Sequence, residues 1–206
     1  QMCIRDRIKT FAKDTNSIII NSIPTSWGNM SLLHAEALLY EAATEIPYIT
    51  HYWIVSEKTV PIRSTKDTLE YINTILKDTS QMVYIDDPEQ KKYEMYKLIE
   101  KYISLDDLHF GSQFKVLHRY NWLQIREDVL RIVRDSSLSH IHWSNTNSQM
   151  MHPDEFIIPS LFYKNKIKTI DGEKPIFDKF DDDGKRASLL NLYDIQQLYG
   201  TFSSRG

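Results

Sequence analysis

The chain contains few of the features on which several protein classes depend. It has one cysteine in 206 residues, which excludes an internal disulfide framework and a cysteine-based zinc site. No apolar run approaches the roughly 20 residues that a membrane-spanning helix needs, and the opening residues show no signal-peptide pattern. The net charge is −3 and the basic residues are dispersed, so no face for binding nucleic acid is indicated.

The composition is that of a folded domain. Hydrophobic residues make up 41% of the chain and aromatic residues 12%, which is enough to build a core. Residues 1–7 show no periodicity and are interpreted as a non-native leader. We therefore expect a single domain over residues 8–206, which we interpret as a piece of a longer enzyme.

Strand patterns alternate with helix patterns along the chain, which predicts an α/β fold with a mixed central sheet flanked by helices. The β-branched run at residues 18–20 predicts a buried strand, and residues 52–55, apolar on both faces, predict a central strand. Between them, Leu32, Ala35, Leu39 and Ala42 predict the inner stripe of a helix capped by Asn29 or Ser31. Further strands are predicted at residues 82–85, 114–117 and 166–170, and further helices at 122–133 and 156–162, the last broken or bent at Pro159.

Glu155 is the first candidate for chemistry. A carboxylate that is held near a sugar acceptor and partly desolvated can act as a base toward the acceptor hydroxyl. Pro153 fixes the turn before it, and Asp154 is placed to cap the helix that follows. The competing interpretation is that both acids only complement the dipole of that helix.

Asp154 and four other residues are candidates for binding substrate. Ser56 and Glu57 follow a predicted strand, where α/β sheets commonly bind ligands. Trp27 could stack on a sugar ring or anchor the core beneath the next helix. Arg119 could clamp a phosphate or form a surface salt bridge.

Histidines raise the possibility of a metal site. His140 and His142 would share one face of a strand, and His152 could complete a zinc site. No further acid-and-histidine motif accompanies them, so we expect no metal. The acidic run at residues 181–183 is interpreted as a solvated turn.

Four blocks in a fixed order resemble the core-2/I-branching glycosyltransferase family, which includes xylosyltransferase-like members. The first leads from Trp27-Gly28 into a helix, and the second is the strand that ends in Ser56-Glu57. The remaining two are the glycine–serine–glutamine–aromatic block before Arg119 and the Asp154-Glu155 motif. The blocks span roughly residues 18–162.

The resemblance implies a GT-A-like fold and inverting transfer of a sugar, N-acetylglucosamine, xylose or similar, from a UDP donor to a carbohydrate hydroxyl. It implies that Glu155 is the catalytic base and that no cofactor or divalent metal is required, because basic residues neutralise the diphosphate. Phe177-Asp178-Lys179-Phe180 resembles the family's basic block, which would make Lys179 the diphosphate ligand. In a second alignment residues 168–171 match an earlier segment, and the basic block falls after Gly206, leaving this stretch inactive.

We therefore expect a microbial or viral glycosyltransferase whose partners are a UDP-sugar and a glycan or glycoprotein acceptor. A cytoplasmic location is expected, with an anchor outside this stretch left open. The rival hypotheses are a degenerate carbohydrate-binding domain and a metal-dependent hydrolase that uses the three histidines. The main hypothesis requires Glu155 and Glu57 to face the same hollow at the edge of the sheet.

Overall fold

A four-stranded sheet with helices on both faces organises the chain. The structure, a computed structural model, describes residues 9–10, 12–15, 17–55, 60–61, 64–85, 94–141, 152–171 and 176–177. The helices are α1 (Met30–Thr44), α2 (Thr65–Tyr71), α3 (Arg119–Val133), α4 (Ser136–Ser139) and α5 (Pro153–Lys164). The strands are β1 (His51–Trp53), β2 (Val60–Pro61), β3 (Ser80–Ile85), β4 (Phe110–His118), β5 (Thr169–Ile170) and β6 (Ile176–Phe177). A π-helical turn (Ile72–Leu76) extends α2, and two 3₁₀ segments (Glu94–Ile99 and Leu105–Asp107) precede β4.

The sheet is mixed, as predicted. Its order is β1-β4-β3-β5, in which β4 pairs antiparallel with both neighbours and β5 pairs parallel with β3. Strands β2 and β6 form a separate antiparallel pair. The α/β prediction is confirmed. The strand predicted at residues 166–170 corresponds to β5, at one end of the sheet.

The main core lies between the sheet and helices α1, α3 and α5. Because side chains alternate along a strand, Leu117 of β4 joins this core while Phe114 and Val116 face the opposite side. There they pack with Leu76 of the π-helical turn in a smaller cluster. The largest side chains fully buried in the main core are those of Trp122, Tyr40, Phe110, Phe156 and Phe162.

Helix α5 approaches β4 closely enough to require a glycine in the strand. A Cβ atom built on Gly111 would lie 2.9 Å from Cγ of Pro159 and 3.1 Å from the carbonyl oxygen of Val83. Pro159 therefore occupies the space that this glycine leaves open, and α5 continues through the proline from Pro153 to Lys164. Of the two predicted alternatives, a break at Pro159 is wrong, and a bend there stays a prediction. The Ser160 hydroxyl also donates to the His109 carbonyl oxygen (3.1 Å) and accepts from the His109 N–H (2.9 Å). These two bonds attach α5 to the backbone just before β4.

Two strand predictions are wrong, one because no strand forms and the other because the strand is not central. Residues 17–26 form no strand, and Ile18 and Ile19 are exposed. A β-branched run favours strand, but it enters a sheet only where a neighbour offers backbone hydrogen bonds. Strand β1, predicted to be central, stands at one end of the described four-strand order, and Val55 just beyond it is exposed.

Helix α1 forms as predicted but buries a different face. Its buried residues are Met30, Leu33, Glu36, Ala37 and Tyr40, while Leu39 is exposed. The predicted stripe followed apolar residues alone, whereas the buried stripe contains a glutamate. Glu36 is tolerated there because a buried lysine stands opposite it.

Within the described residues, no helix is both long enough and apolar enough to cross a membrane.

Candidate active site at the start of helix α5

The first turn of α5 carries the Asp154-Glu155 pair. His152 is the residue before the helix, Pro153 begins it, and both acids lie in its first turn. Oε2 of Glu155 accepts a hydrogen bond from the backbone N–H of His152 at 3.1 Å, as in a capping box. Glu155 is half-buried, and this bond orients its carboxylate. The prediction that Asp154 caps the helix is wrong, because His152 holds the cap position and Asp154 lies inside the first turn. Both acids lie where they complement the helix dipole, as the competing interpretation expected.

A buried lysine in strand β4 contacts this turn. Nζ of Lys115, in β4, donates to the carbonyl oxygen of Asp154 at 3.2 Å and lies 3.8 Å from Oδ2 of the same residue. It also lies 3.3 Å from Oε1 of Glu36, which accepts a 2.7 Å hydrogen bond from the hydroxyl of Tyr40. The Lys115 side chain is only 2% exposed. One ammonium therefore joins helix α1, strand β4 and the first turn of α5.

Lys115 stabilises the charged forms of both acids in this cluster, whereas Asp154 disfavours the charged form of Glu36. Burial disfavours the ammonium of Lys115, but the carboxylates of Glu36 and Asp154 outweigh it and raise the pKa of Lys115. Burial raises the pKa of Glu36, and Lys115 opposes that rise. Lys115 also interacts electrostatically with Glu155. Lys115 is thus a fixed positive charge beneath the candidate base.

The Trp27-Gly28-Asn29 block builds one wall of the site. Gly28 has φ +66°, a left-handed conformation that favours glycine. Asn29 then caps α1 by accepting from the N–H of Ser31 at 2.9 Å, and its amide donates to the Ser139 carbonyl at 2.7 Å.

This geometry leaves Trp27 at the surface beside the first turn of α5. Its indole is 49% exposed and contacts the ring of His152 edge-on, with centroids 4.6 Å apart. Trp27 is therefore no core anchor, which was the competing interpretation. Trp27 and the Asp154-Glu155 pair, 127 residues apart at the nearest, are brought together through His152.

Arg119 lies elsewhere. It begins α3, and its Nη1 donates to the carbonyl oxygen of Ile46 at 3.0 Å in the loop between α1 and β1. Arg119 follows Lys115 by four positions, which corresponds to roughly 13 Å between their Cα atoms in an extended strand. The structure places Arg119 with that loop and not with the first turn of α5. Its role toward a phosphate stays a prediction.

Other predicted site residues lie outside the described part of the chain. Ser56, Glu57, Lys179 and the acidic run 181–183 all belong to this group. Whether Glu57 shares a hollow with Glu155 therefore stays a prediction.

Two of the three histidines in the metal hypothesis lie in the described part of the chain. His140 is exposed at the end of α4, His152 is buried before α5, and His142 lies outside the described residues. Among the residues that the structure describes, no group of three or more histidine, cysteine or acidic side chains could hold a metal ion.

Lys115 and Glu36 were missed by sequence reasoning. Lys115 stands between Phe114 and Val116 in an apolar strand, and Glu36 stands between two alanines in an apolar helix. A charge in the middle of a buried element must be paired. Two opposite charges of this kind were the signal that could have found the cluster.

The comparison with protein families identifies a match. The family described as "Core-2/I-Branching enzyme" matches residues 4–172, more than three quarters of the chain. The matched span includes Trp27, Lys115, Arg119 and Glu155 and ends before Lys179. No curated protein and no solved structure matches.

Proposed function

The chain belongs to the core-2/I-branching enzyme family, and we propose that it transfers a sugar from a UDP donor to a carbohydrate hydroxyl with inversion at the anomeric carbon. Family membership supports a glycosyltransferase of the core-2/I-branching type. We propose the donor, the acceptor and the roles of individual residues in addition to this family assignment. The observation that carries it is the exposed Trp27 ring beside an oriented, partly exposed Glu155.

Glu155 is the proposed base. It takes the proton of the acceptor hydroxyl while that oxygen attacks the anomeric carbon, and the bond to UDP breaks with its electron pair leaving on the diphosphate. The bond from the His152 N–H holds Oε2 in place, so the carboxylate need not reorganise before it accepts the proton. The amino-terminal end of α5 and the Lys115 ammonium both place positive charge near this carboxylate.

Trp27 supplies the surface on which the acceptor sugar rests. An aromatic face with adjoining polar groups suits the apolar face and hydroxyls of a sugar ring. The edge-on contact with His152, the residue before α5, places the indole beside the start of the helix that carries Glu155. Asp154 lies at the same end of the helix, and Ser56 and Glu57 are proposed to complete the substrate pocket there. Arg119 lies apart from this turn and is proposed to contact a phosphate of the donor.

The leaving diphosphate is proposed to be neutralised by basic side chains without a divalent cation. Lys179 is the candidate within this sequence, and it lies beyond the span that the family matches. A lysine or arginine can stabilise the developing phosphate charge in the place of a metal. The donor sugar is proposed to be N-acetylglucosamine, xylose or a related sugar.

The test is donor-dependent release of UDP by the 206-residue chain and by a form extended at its carboxyl end. UDP-N-acetylglucosamine, UDP-xylose and UDP-glucuronic acid are compared, each with and without a glycan acceptor and with and without EDTA. We expect acceptor-dependent release with one donor, unchanged by EDTA. Binding of UDP without turnover by both forms would instead support the degenerate carbohydrate-binding hypothesis, and loss of activity in EDTA would refute the metal-free mechanism.

A further inference from the structure

A second hollow lies at the opposite end of α5 from Glu155. It has a volume of about 580 Å³ and is lined by the end of that helix, the following turn and β5, with Tyr84 and His109 on the facing side. Nine residues of α5 separate Glu155 from Lys164, about 14 Å along the helix. The hollow is therefore distinct from the proposed catalytic centre.

Aromatic rings form one wall of this hollow. Tyr163 stacks on His109 with centroids 3.5 Å apart and planes 20° from parallel, and Tyr84 meets His109 edge-on at 6.2 Å. Tyr163 is nevertheless 51% exposed, so part of its ring remains open to a ligand. A rigid, partly exposed aromatic ring of this kind suits the apolar face of a sugar.

The rim of the hollow is positively charged. Lys164, Lys166 and Lys168 line it together with a single acid, Asp107. The Lys164 ammonium is engaged with the Tyr102 carbonyl at 2.8 Å. Lys166 and Lys168 are exposed, and neither forms an ion pair with any residue in the described parts of the chain. Two such cations in a chain of net charge −3 indicate an anionic ligand.

The backbone at Lys166 is held in an unfavourable conformation. Its φ is +54°, and its N–H donates to the Tyr163 carbonyl while the N–H of Ile167 donates to the Phe162 carbonyl, both at 2.9 Å. This pattern is the usual helix end in which glycine takes the left-handed position. A residue with a side chain costs about 1–2 kcal/mol there. Strain at a position where glycine would relieve it points to a role for the side chain.

We propose that this hollow binds an anionic sugar, with the sugar ring on Tyr163 and the carboxylate, sulfate or phosphate on Lys166 and Lys168. The three observations that carry the assignment are the aromatic wall, the two cations and the strained lysine. It is independent of the proposed catalytic role of Glu155, and either can fail without the other.

The test is a titration of the 206-residue chain followed by amide chemical shifts. The probes are glucose 6-phosphate, a disaccharide containing glucuronic acid, the neutral disaccharide lactose and inorganic phosphate. We expect one or both anionic sugars to shift the amides of Tyr163 and Thr169, and to bind more tightly than lactose or phosphate. Which anionic sugar binds distinguishes a phosphate-bearing from a carboxylate-bearing ligand.

Variants separate binding from folding. Lys166→Gly removes the cation and also the strain, so we expect about tenfold weaker binding with an unchanged or higher thermal midpoint. Tyr163→Ala should also weaken binding, whereas Lys66→Gln, an exposed change on α2, should leave it unaltered. Absence of binding by the wild-type chain, equal binding of lactose, or unchanged affinity in Lys166→Gly would overturn the proposal. Binding of inorganic phosphate as tight as that of the anionic sugars would also overturn it, since the ring would then contribute nothing.

Discussion

Lys115 is the residue on which the geometry of the candidate active site depends. Its ammonium contacts Glu36 of α1 and both the carbonyl and the side chain of Asp154. Burying an ion pair costs desolvation free energy. Removing one partner costs more, because the other charge then stays buried and unpaired. The cluster therefore fixes where the first turn of α5 sits relative to the sheet, and with it the position of Glu155.

Lys115→Met should unfold at a markedly lower urea concentration. The change leaves the buried Glu36 and the half-buried Asp154 without their cation, for which we expect a loss of about 3–5 kcal/mol in the free energy of unfolding. Equilibrium urea denaturation followed by tryptophan fluorescence measures it.

The matched control is the double variant Lys115→Met/Glu36→Leu, which replaces the main ion pair by apolar side chains. It should recover at least half of the loss, because such replacements are often close to neutral. A single variant within about 0.5 kcal/mol of wild type, or a double variant that is worse than the single one, would contradict this account of the cluster.

At the residue scale, the sequence named Trp27, Asp154 and Glu155 as candidates because turn residues and first-turn acids leave local patterns, and their functional roles stay predictions. It did not indicate the buried charges that hold this turn. Lys115 and Glu36 are 79 positions apart, and their pairing depends on which faces of β4 and α1 meet. Periodicity assigned the wrong face to α1, since it counts apolar residues and cannot recognise a paired charge.

At the scale of elements, the site depends on how closely α5 packs against β4. The contact between Gly111 and Pro159 sets that spacing, and Ser160 fixes the helix to the backbone of His109. The glycine–serine–glutamine–aromatic block therefore has a structural use at its first residue. It admits a proline ring from the helix that carries the candidate base.

Gly111→Ala should destabilise the protein by about 1–3 kcal/mol, the usual cost of overpacking a filled core. The added methyl group would meet Pro159 at 2.9 Å and the carbonyl of Val83 at 3.1 Å. Thermal and urea denaturation measure the loss. In the double variant Gly111→Ala/Pro159→Ala part of it should return, and identical losses with and without Pro159 would show that this contact is not the cause.

The pairing of β1 with β4 should be sensitive to acid. His51 and His118 are opposite each other in the two strands, with ring centroids 4.9 Å apart. Burial lowers the pKa of both, the neighbouring His118 lowers that of His51 further, and Asp78 opposes both shifts. The unfolded chain therefore takes up protons first as pH falls through about 6.5, and stability should decline from neutral pH toward the lower folded pKa values.

The measurement is the urea midpoint of unfolding between pH 7.5 and 5.5, compared with a His51→Asn/His118→Asn variant. We expect the midpoint of the wild type to fall more steeply with acidification than that of the variant, since the variant lacks the two groups. Equal slopes would rule out this pair as a source of the pH dependence.

Element types were more predictable than their places in the fold. Helices α1, α3 and α5 and strands β3 and β4 follow from periodicity, because each buries one regular stripe or a full apolar run. The run at residues 18–20 has the same composition as a strand, yet it lies exposed. Whether such a run becomes a strand depends on the availability of a partner strand, and the local sequence does not contain that information.

At the scale of the whole molecule, the two proposed sites share one helix. The amino-terminal end of α5 carries the Asp154-Glu155 pair above the Lys115 cluster, and its carboxyl-terminal end carries the lysine-rich hollow. The same helix packs against α1, α3 and β4 in the main core. A scaffold this well buried can hold functional side chains at both of its ends in fixed positions.

The central claim is that Glu155 is a base and not only a helix cap. The variant Glu155→Gln distinguishes the two, because glutamine can also accept the hydrogen bond from the His152 N–H in a capping box, but it cannot take up a proton. Glu127→Gln is the matched control, since its side chain is 82% exposed on α3.

The decisive measurement is the rate of sugar transfer by Glu155→Gln in the catalytically active form of the enzyme, beside wild type and Glu127→Gln. We predict a loss of at least about 100-fold, in the range that general bases contribute, with thermal midpoint and Glu127→Gln activity both near wild type. A Glu155→Gln enzyme that folds normally and transfers sugar at the wild-type rate would contradict the account.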